Sequence, residues 1–149
     1  IKGIVMQVLK KSALLILGAS LLSFSLPLYS AEAEAQLTTK ELMNGIMTPM
    51  TTIIWGAYQL QTDAEWKAVE DAALTVIAAG QLLATGGAED GAREMAAEEE
   101  WQGHTARLIA AARKVVTAVS EKNEEALSEA GNNDLYPPCE ECHQKYQAR

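Results

Sequence analysis

The sequence predicts an all-α protein, and more narrowly an antiparallel up-down-up-down four-helix bundle. Alanine is abundant, and β-branched or aromatic residues nowhere alternate with polar ones as they would in a strand. Four stretches instead carry apolar residues at three- and four-residue steps, the period of an amphipathic helix. Short connections between such helices favour antiparallel neighbours. The chain has 149 residues, enough for one such domain.

Residues 1–35 are predicted to be a secretory signal peptide. The positive pair Lys10-Lys11 precedes an apolar run over residues 13–28, and small residues follow at 30–35. The competing interpretation is a retained membrane anchor. A spanning helix needs about 20 apolar residues, however, and this run is shorter and has Pro27 near its end. We therefore expect cleavage near residues 31–35, release into the periplasm, and no membrane contact afterwards.

The charge of the remaining domain, residues 36–149, argues against one class of partner. Removing the predicted signal leaves 9 Lys and Arg residues against 18 Asp and Glu residues, a net charge near −9. Such a surface repels phosphates, so we expect no nucleic-acid binding. No hydrolase triad, phosphate-binding loop or pair of catalytic carboxylates is recognisable in the sequence, and the protein is not predicted to be an enzyme.

The first two predicted helices cover residues 38–60 and 63–85. The patterns Thr38-x-x-Glu41 and Thr62-x-x-Glu65 are capping boxes that mark the two starts. Pro49 is expected to kink the first helix, because it removes one backbone hydrogen bond and clashes with the preceding turn. Gly86-Gly87 is expected to end the second helix, because glycine tolerates a positive φ.

The last two helices are predicted over residues 93–119 and over a discontinuous final segment. In that segment a short helix covers residues 123–130, and a Gly-Asn-Asn-Asp sequence at 131–134 is expected to break it. Pro137-Pro138 would then restart the helix, because proline is tolerated in a first turn. This final piece runs to about residue 147.

Residues 139–143 read Cys-Glu-Glu-Cys-His, the C-x-x-C-H attachment pattern of c-type haem. Two thiols at this spacing add to the two vinyl groups of a haem, and the adjacent His143 can then ligate the iron. Both cysteines of the chain, Cys139 and Cys142, lie in the motif. The motif therefore predicts one covalently bound haem c.

Two other uses of these residues stay open. The thiols could form a disulfide in an oxidising compartment, although thioredoxin-like proteins place such a pair after a strand, which this chain is not predicted to have. A zinc site would need four ligands, and Cys139, Cys142, His143 and the distant His104 are the candidates.

With Tyr146, the motif reads C-x-x-C-H-x-x-Y close to the chain end, on the last helix of a predicted bundle. In this it resembles the cytochrome c-prime family, including its low-spin, methionine-ligated members. The resemblance spans about residue 38 to the end. Residues 42–55 and the segment Leu135-Tyr136-Pro137-Pro138 look like uncharacterised proteobacterial relatives of that family. One departure is expected, because the family's last helix is usually continuous and residues 131–138 interrupt it here.

The resemblance implies His143 as the proximal iron ligand, a first-helix residue on the other haem face, and Tyr146 near the haem. In an antiparallel bundle the start of helix one lies near the end of helix four, and Met43 is close to that start. Met43 is therefore the predicted distal ligand, and histidine–methionine ligation raises the reduction potential. Met47, His104 and a distal site without a protein ligand are the alternatives.

The predicted function is one-electron transfer by a periplasmic monohaem c-type cytochrome, with redox partner proteins that the sequence does not identify. The alternative is a five-coordinate haem that binds NO or CO for sensing, storage or detoxification. A haemless thiol–disulfide protein is a third hypothesis. Because members of the family often pair through their first two helices, the resemblance also leaves a homodimer open.

Overall fold

The structure is a computed structural model that describes residues 34–147. The predicted signal peptide lies outside this range except for its last two residues. Within the range the protein is all-helical, with no strand. The elements are α1 (Thr39–Leu42), π1 (Met43–Met47), α2 (Thr48–Trp55), α3 (Asp63–Thr85), α4 (Ala92–Ala96), α5 (Glu99–Ser120), α6 (Glu124–Glu129), π2 (Ala130–Leu135) and α7 (Tyr136–Tyr146). The all-α prediction is confirmed.

Both capping boxes are confirmed. The backbone N–H of Glu41 donates to Thr38 Oγ1 at 3.2 Å, and the N–H of Thr38 donates to the Glu41 carboxylate at 2.9 Å. Thr62 and Glu65 repeat the pair at 3.2 and 2.7 Å. The backbone N–H of Thr38 holds the pKa of Glu41 below its ordinary value, and the N–H of Gln61, followed by that of Thr62, does the same for Glu65. The helix starts are therefore encoded locally.

The first predicted helix differs at its end and around Pro49. It stops at Trp55 rather than at residue 60, because the chain turns at Gly56 and Gln59 takes a positive φ of 52°. The expected disturbance at Pro49 takes the form of π1, in which the Thr48 N–H donates to the carbonyl five residues back. This wider turn ends two residues before the proline.

The third predicted helix is two helices. It is interrupted at residues 97–98, where Glu98 adopts an extended conformation before α5. The Gln102 side-chain amide donates to the Ala96 carbonyl at 2.6 Å and so caps the end of α4. This hydrogen bond therefore stabilises the interruption between α4 and α5, which the spacing of the apolar residues does not predict.

The predicted break at residues 131–134 is wrong. Those residues belong to π2, which runs without interruption from α6 into α7. As with π1 and Pro49, the π-turn ends two residues before a proline, here Pro137, because the widened turn accommodates a residue that cannot donate a backbone hydrogen bond. The expected departure from a continuous last helix is therefore absent from this protein.

The core forms where α3 lies along α5, with α2 against α3 and with α6, π2 and α7 against α5. At Gly80, an added Cβ would lie 2.8 Å from Ile109 Cγ1, so glycine permits the close approach of α3 to α5. Among the described residues, α3 is long and apolar enough to cross a membrane by length and composition, with a mean hydropathy of 1.3. A core helix meets the same criteria, and the apolar stripe of α3 is buried here.

Candidate functional site

A partly open cavity of about 160 Å³ lies where π1 and α2 face α5 and α7. Four of the five site residues predicted from sequence line it, namely Cys139, Cys142, His143 and Met43. The structure therefore brings the motif together with the start of the first helical segment. The rest of the wall includes Leu83, Trp101, Leu108 and Pro138, so much of it is apolar.

The two cysteines stand one turn apart on α7 and are both half-buried free thiols. Cys139 Sγ donates to the Leu135 carbonyl at 3.3 Å. Burial, with a smaller contribution from Cys142, raises the pKa of Cys139 to about 11, and burial followed by Glu100 raises the pKa of Cys142. Protonated thiols are weak nucleophiles, so both thiols are less reactive in the folded chain than an exposed cysteine.

His143 follows Cys142 directly and is exposed at the mouth of the cavity, where its imidazole is accessible to a ligand. Tyr146 is not part of the cavity wall. Its ring is buried and packs edge-on against Trp101, with the centroids 5.0 Å apart, and its hydroxyl donates to Glu98 Oε2 at 2.8 Å. Tyr146 therefore supports the wall through Trp101.

The methionines on the opposite side lie at the two ends of π1. Met43 is half-buried and Met47 is buried, and both line the cavity. Met50, one turn further along, does not line it. Two neighbouring threonines in the wall, Thr51 and Thr52, donate their hydroxyl protons to carbonyls of their own helix at 2.9 and 2.7 Å. This arrangement leaves thioether sulfur as the soft ligand on this side.

His104 is the site residue that sequence reasoning gave least weight. It lies on α5 between Trp101 and Leu108, is 5 % exposed, and lines the cavity. Arg107 contacts its Nδ1 at 2.8 Å, whereas its Nε2 has no hydrogen-bond partner. The signal that could have found it is its place beside the apolar stripe of α5, where a histidine must be buried.

Ion pairs fasten the motif helix α7 to α5. Lys145 contacts Glu100 at 2.5 Å and Glu98 at 3.3 Å, and Glu141 pairs with Arg107. The bond from Lys145 is the main reason that the pKa of Glu100 lies below its ordinary value. These pairs hold the two helices in register beside the cavity.

The donor set fits a haem better than a zinc ion. Among residues 34–147, no group of three or more His, Cys, Asp or Glu side chains is placed to hold a metal ion. A haem brings four ring nitrogens of its own and needs the protein only for axial ligands and attachment. The cavity is smaller than the usual ligand pocket of about 300–1,000 Å³, so a haem would fit only if side chains moved to widen it.

Comparison with protein-family models, with curated proteins and with solved structures finds no match for this chain. The likeness to the cytochrome c-prime family therefore rests on the motif and the helix pattern.

Proposed function

We propose that this protein is a periplasmic monohaem c-type cytochrome that transfers single electrons. We further propose that its helices form an antiparallel up-down-up-down four-helix bundle of the cytochrome c-prime type. The observation that carries the proposal is the shared cavity. Cys139, Cys142 and His143 line it from α7, and Met43 lines it from the other end of the described chain.

Each residue has a distinct role in this proposal. Cys139 and Cys142 hold the haem through thioether bonds, His143 is the proximal ligand, and Met43 is the distal ligand. The haem supplies the Fe(III)/Fe(II) couple. The thioether of Met43 is a soft ligand that favours the reduced iron, and the apolar wall formed by Leu83 and Leu108 lowers the local dielectric and has the same effect.

The partner we propose is a redox protein with a basic docking face. The domain that remains after signal cleavage carries a net charge near −9, and complementary charge steers such encounters and raises their rate. Association should therefore weaken as ionic strength rises, because exposed charges are screened over about 10 Å at 0.1 M salt.

Gas binding at a five-coordinate haem is the second candidate. The observation that favours it is that Thr48 and Thr51 of α2 line the same cavity as Met43. If Met43 does not coordinate the iron, a diatomic ligand would bind in this space.

The test is an optical spectrum of protein matured with its haem-attachment machinery, with covalent haem verified by intact mass. Electron transfer with Met43 ligation predicts low-spin bands in both oxidation states and no shift when CO is added to the reduced protein. A high-spin spectrum that shifts with CO would instead establish the gas-binding alternative. The Cys139→Ala/Cys142→Ala double variant is the matched control and should carry no covalent haem. Absence of haem from the unsubstituted protein would reject both candidates.

A further inference from the structure

The cavity wall contains a buried polar atom that the proposed function does not use. His104 is 5 % exposed, and its Nε2 is one of two buried side-chain polar atoms in residues 34–147 without a hydrogen-bond partner. Glu100 Oε1 lies 3.7 Å from Nε2, which is beyond hydrogen-bond distance, although His104 is close enough to contribute to the lowered pKa of Glu100. Folded proteins pair nearly all such atoms, because an unpaired one keeps its full desolvation cost. Nε2 therefore points to a missing partner.

Arg107 determines which ring nitrogen carries the proton. Its guanidinium lies 2.8 Å from His104 Nδ1, and a guanidinium has donors but no acceptor. Nδ1 must therefore accept, and the proton of the neutral ring sits on Nε2. Neither nitrogen then offers a free lone pair to iron, which argues against His104 as an axial ligand. The cavity is left with a buried N–H donor.

Water would find few polar partners beside that donor. A buried water needs two to four polar contacts. The hydroxyls of Thr51 and Thr105 donate to backbone carbonyls at 2.9 and 3.0 Å and could only accept from a water, and Leu83 and Leu108 offer no polar side-chain atom. A charged acceptor forms a stronger bond, about twice the strength of a neutral one. The two nearest carboxylates are paired, Glu100 with Lys145 and Glu141 with Arg107, so they are held by cations.

We infer that His104 donates a hydrogen bond from Nε2–H to a carboxylate bound in the cavity, and that Arg107 positions the ring for this. The inference rests on the proposed function in one respect, because a haem carries two propionate carboxylates that could supply the acceptor. A small free carboxylate is the other source of the same chemistry.

The experiment is NMR of the full chain labelled with ¹⁵N-histidine. The chain has only two histidines, so the ring signals of His104 and His143 can be separated. Samples are the haem-loaded protein, reduced under CO so that the iron is diamagnetic whether Met43 or CO is its ligand, and the unloaded protein with and without acetate. Two-bond ¹H–¹⁵N spectra report the tautomer, and proton exchange reports whether Nε2–H is bonded.

We expect His104 to be the Nε2–H tautomer and its proton to exchange at least tenfold more slowly when the carboxylate is present. Slow exchange in the loaded protein alone identifies the haem propionate as the acceptor. Slow exchange with acetate in the unloaded protein identifies a free carboxylate, and this arm remains valid if no haem is attached and the proposed function fails.

Two variants of the loaded protein add an independent readout. His104→Gln keeps an N–H donor at this position and His104→Leu removes it. Resonance Raman should show the propionate bending mode at lower frequency in His104→Leu and unchanged in His104→Gln, if the propionate is the acceptor. A proton on Nδ1, fast exchange in every sample, or slow exchange in unloaded protein without acetate would overturn the inference. The last outcome would identify Glu100 as the acceptor of the hydrogen bond from Nε2–H.

Discussion

The indole N–H of Trp55 donates a 2.9 Å hydrogen bond to the carbonyl oxygen of Gly131. This bond joins the end of α2 to the π-turn that leads into the motif helix. Trp55 also lines the cavity and contacts the ring of Tyr136 edge-on, with the centroids 6.1 Å apart. A single side chain thus links the wall that bears Met43 to the wall that bears Cys139.

Trp55→Phe should lower the free energy of unfolding by about 0.5–1.5 kcal/mol, the usual net contribution of one hydrogen bond. The substitution keeps an aromatic ring at the cavity but removes the N–H that bonds to Gly131. Chemical denaturation of the unloaded protein measures the change. Tyr136→Phe is the matched control, because it keeps the ring contact with Trp55, and it should change the stability less. Equal stabilities for Trp55→Phe and the unsubstituted protein would contradict the prediction.

Met43→Ala should convert a low-spin spectrum into a high-spin one that shifts with CO, because it removes the thioether while leaving the attachment residues in place. Met50→Ala removes the same side chain from a residue that does not line the cavity, so its spectrum should stay low-spin. Optical spectra of the two matured variants, recorded with and without CO, measure this difference. A Met43→Ala protein that remains low-spin would remove Met43 from the proposal and make Met47 the next candidate.

Cys139 of the unloaded, folded protein should react slowly with alkylating reagents at pH 8. Burial raises its pKa to about 11, which means about a hundredfold fewer thiolates at this pH than in the unfolded chain. Because the folded state has the higher pKa, its stabilisation by this group is complete below pH 9 and is lost as pH rises through about 11.

Alkylation rates in the Cys142→Ala background, with and without denaturant, isolate Cys139. A folded rate equal to the denatured rate at pH 8 would show that the thiol is not shielded.

Gly80→Ala and Gly103→Ala should have different effects although both glycines lie inside long helices. At Gly103 an added Cβ meets nothing within 4 Å, so alanine should stabilise the protein by about 0.5–1 kcal/mol through helix propensity. At Gly80 the Cβ would lie 2.8 Å from Ile109 Cγ1, and overpacking of this kind costs about 1–3 kcal/mol. Thermal unfolding of both variants gives the comparison, and an equal gain from both would disprove the close approach of α3 to α5.

Local chemistry was readable from the sequence where a few neighbouring residues decide the structure. The capping boxes at Thr38 and Thr62 and the full extent of α3 were predicted correctly, because a cap needs partners only three residues away. The spacing of the motif also placed Cys139 and Cys142 on one side of a helix, whichever fold surrounds them.

The two π-turns and the role of His104 were not readable in that way. Pro49 and the Gly-Asn-Asn-Asp sequence before Pro137 predict a disturbance of the helix. A kink, a break and a π-turn are all compatible with the missing backbone N–H of proline, so the sequence does not choose between them. Packing against α5 selects the continuous π2, and the contact of Arg107 with His104 determines the ring tautomer.

The sequence by itself determined the helices, their caps and the thiol–imidazole motif, since these depend on residues close along the chain. The tertiary structure alone decided which side chains face that motif across the cavity, because Met43, His104 and Trp55 reach it only through packing between distant segments.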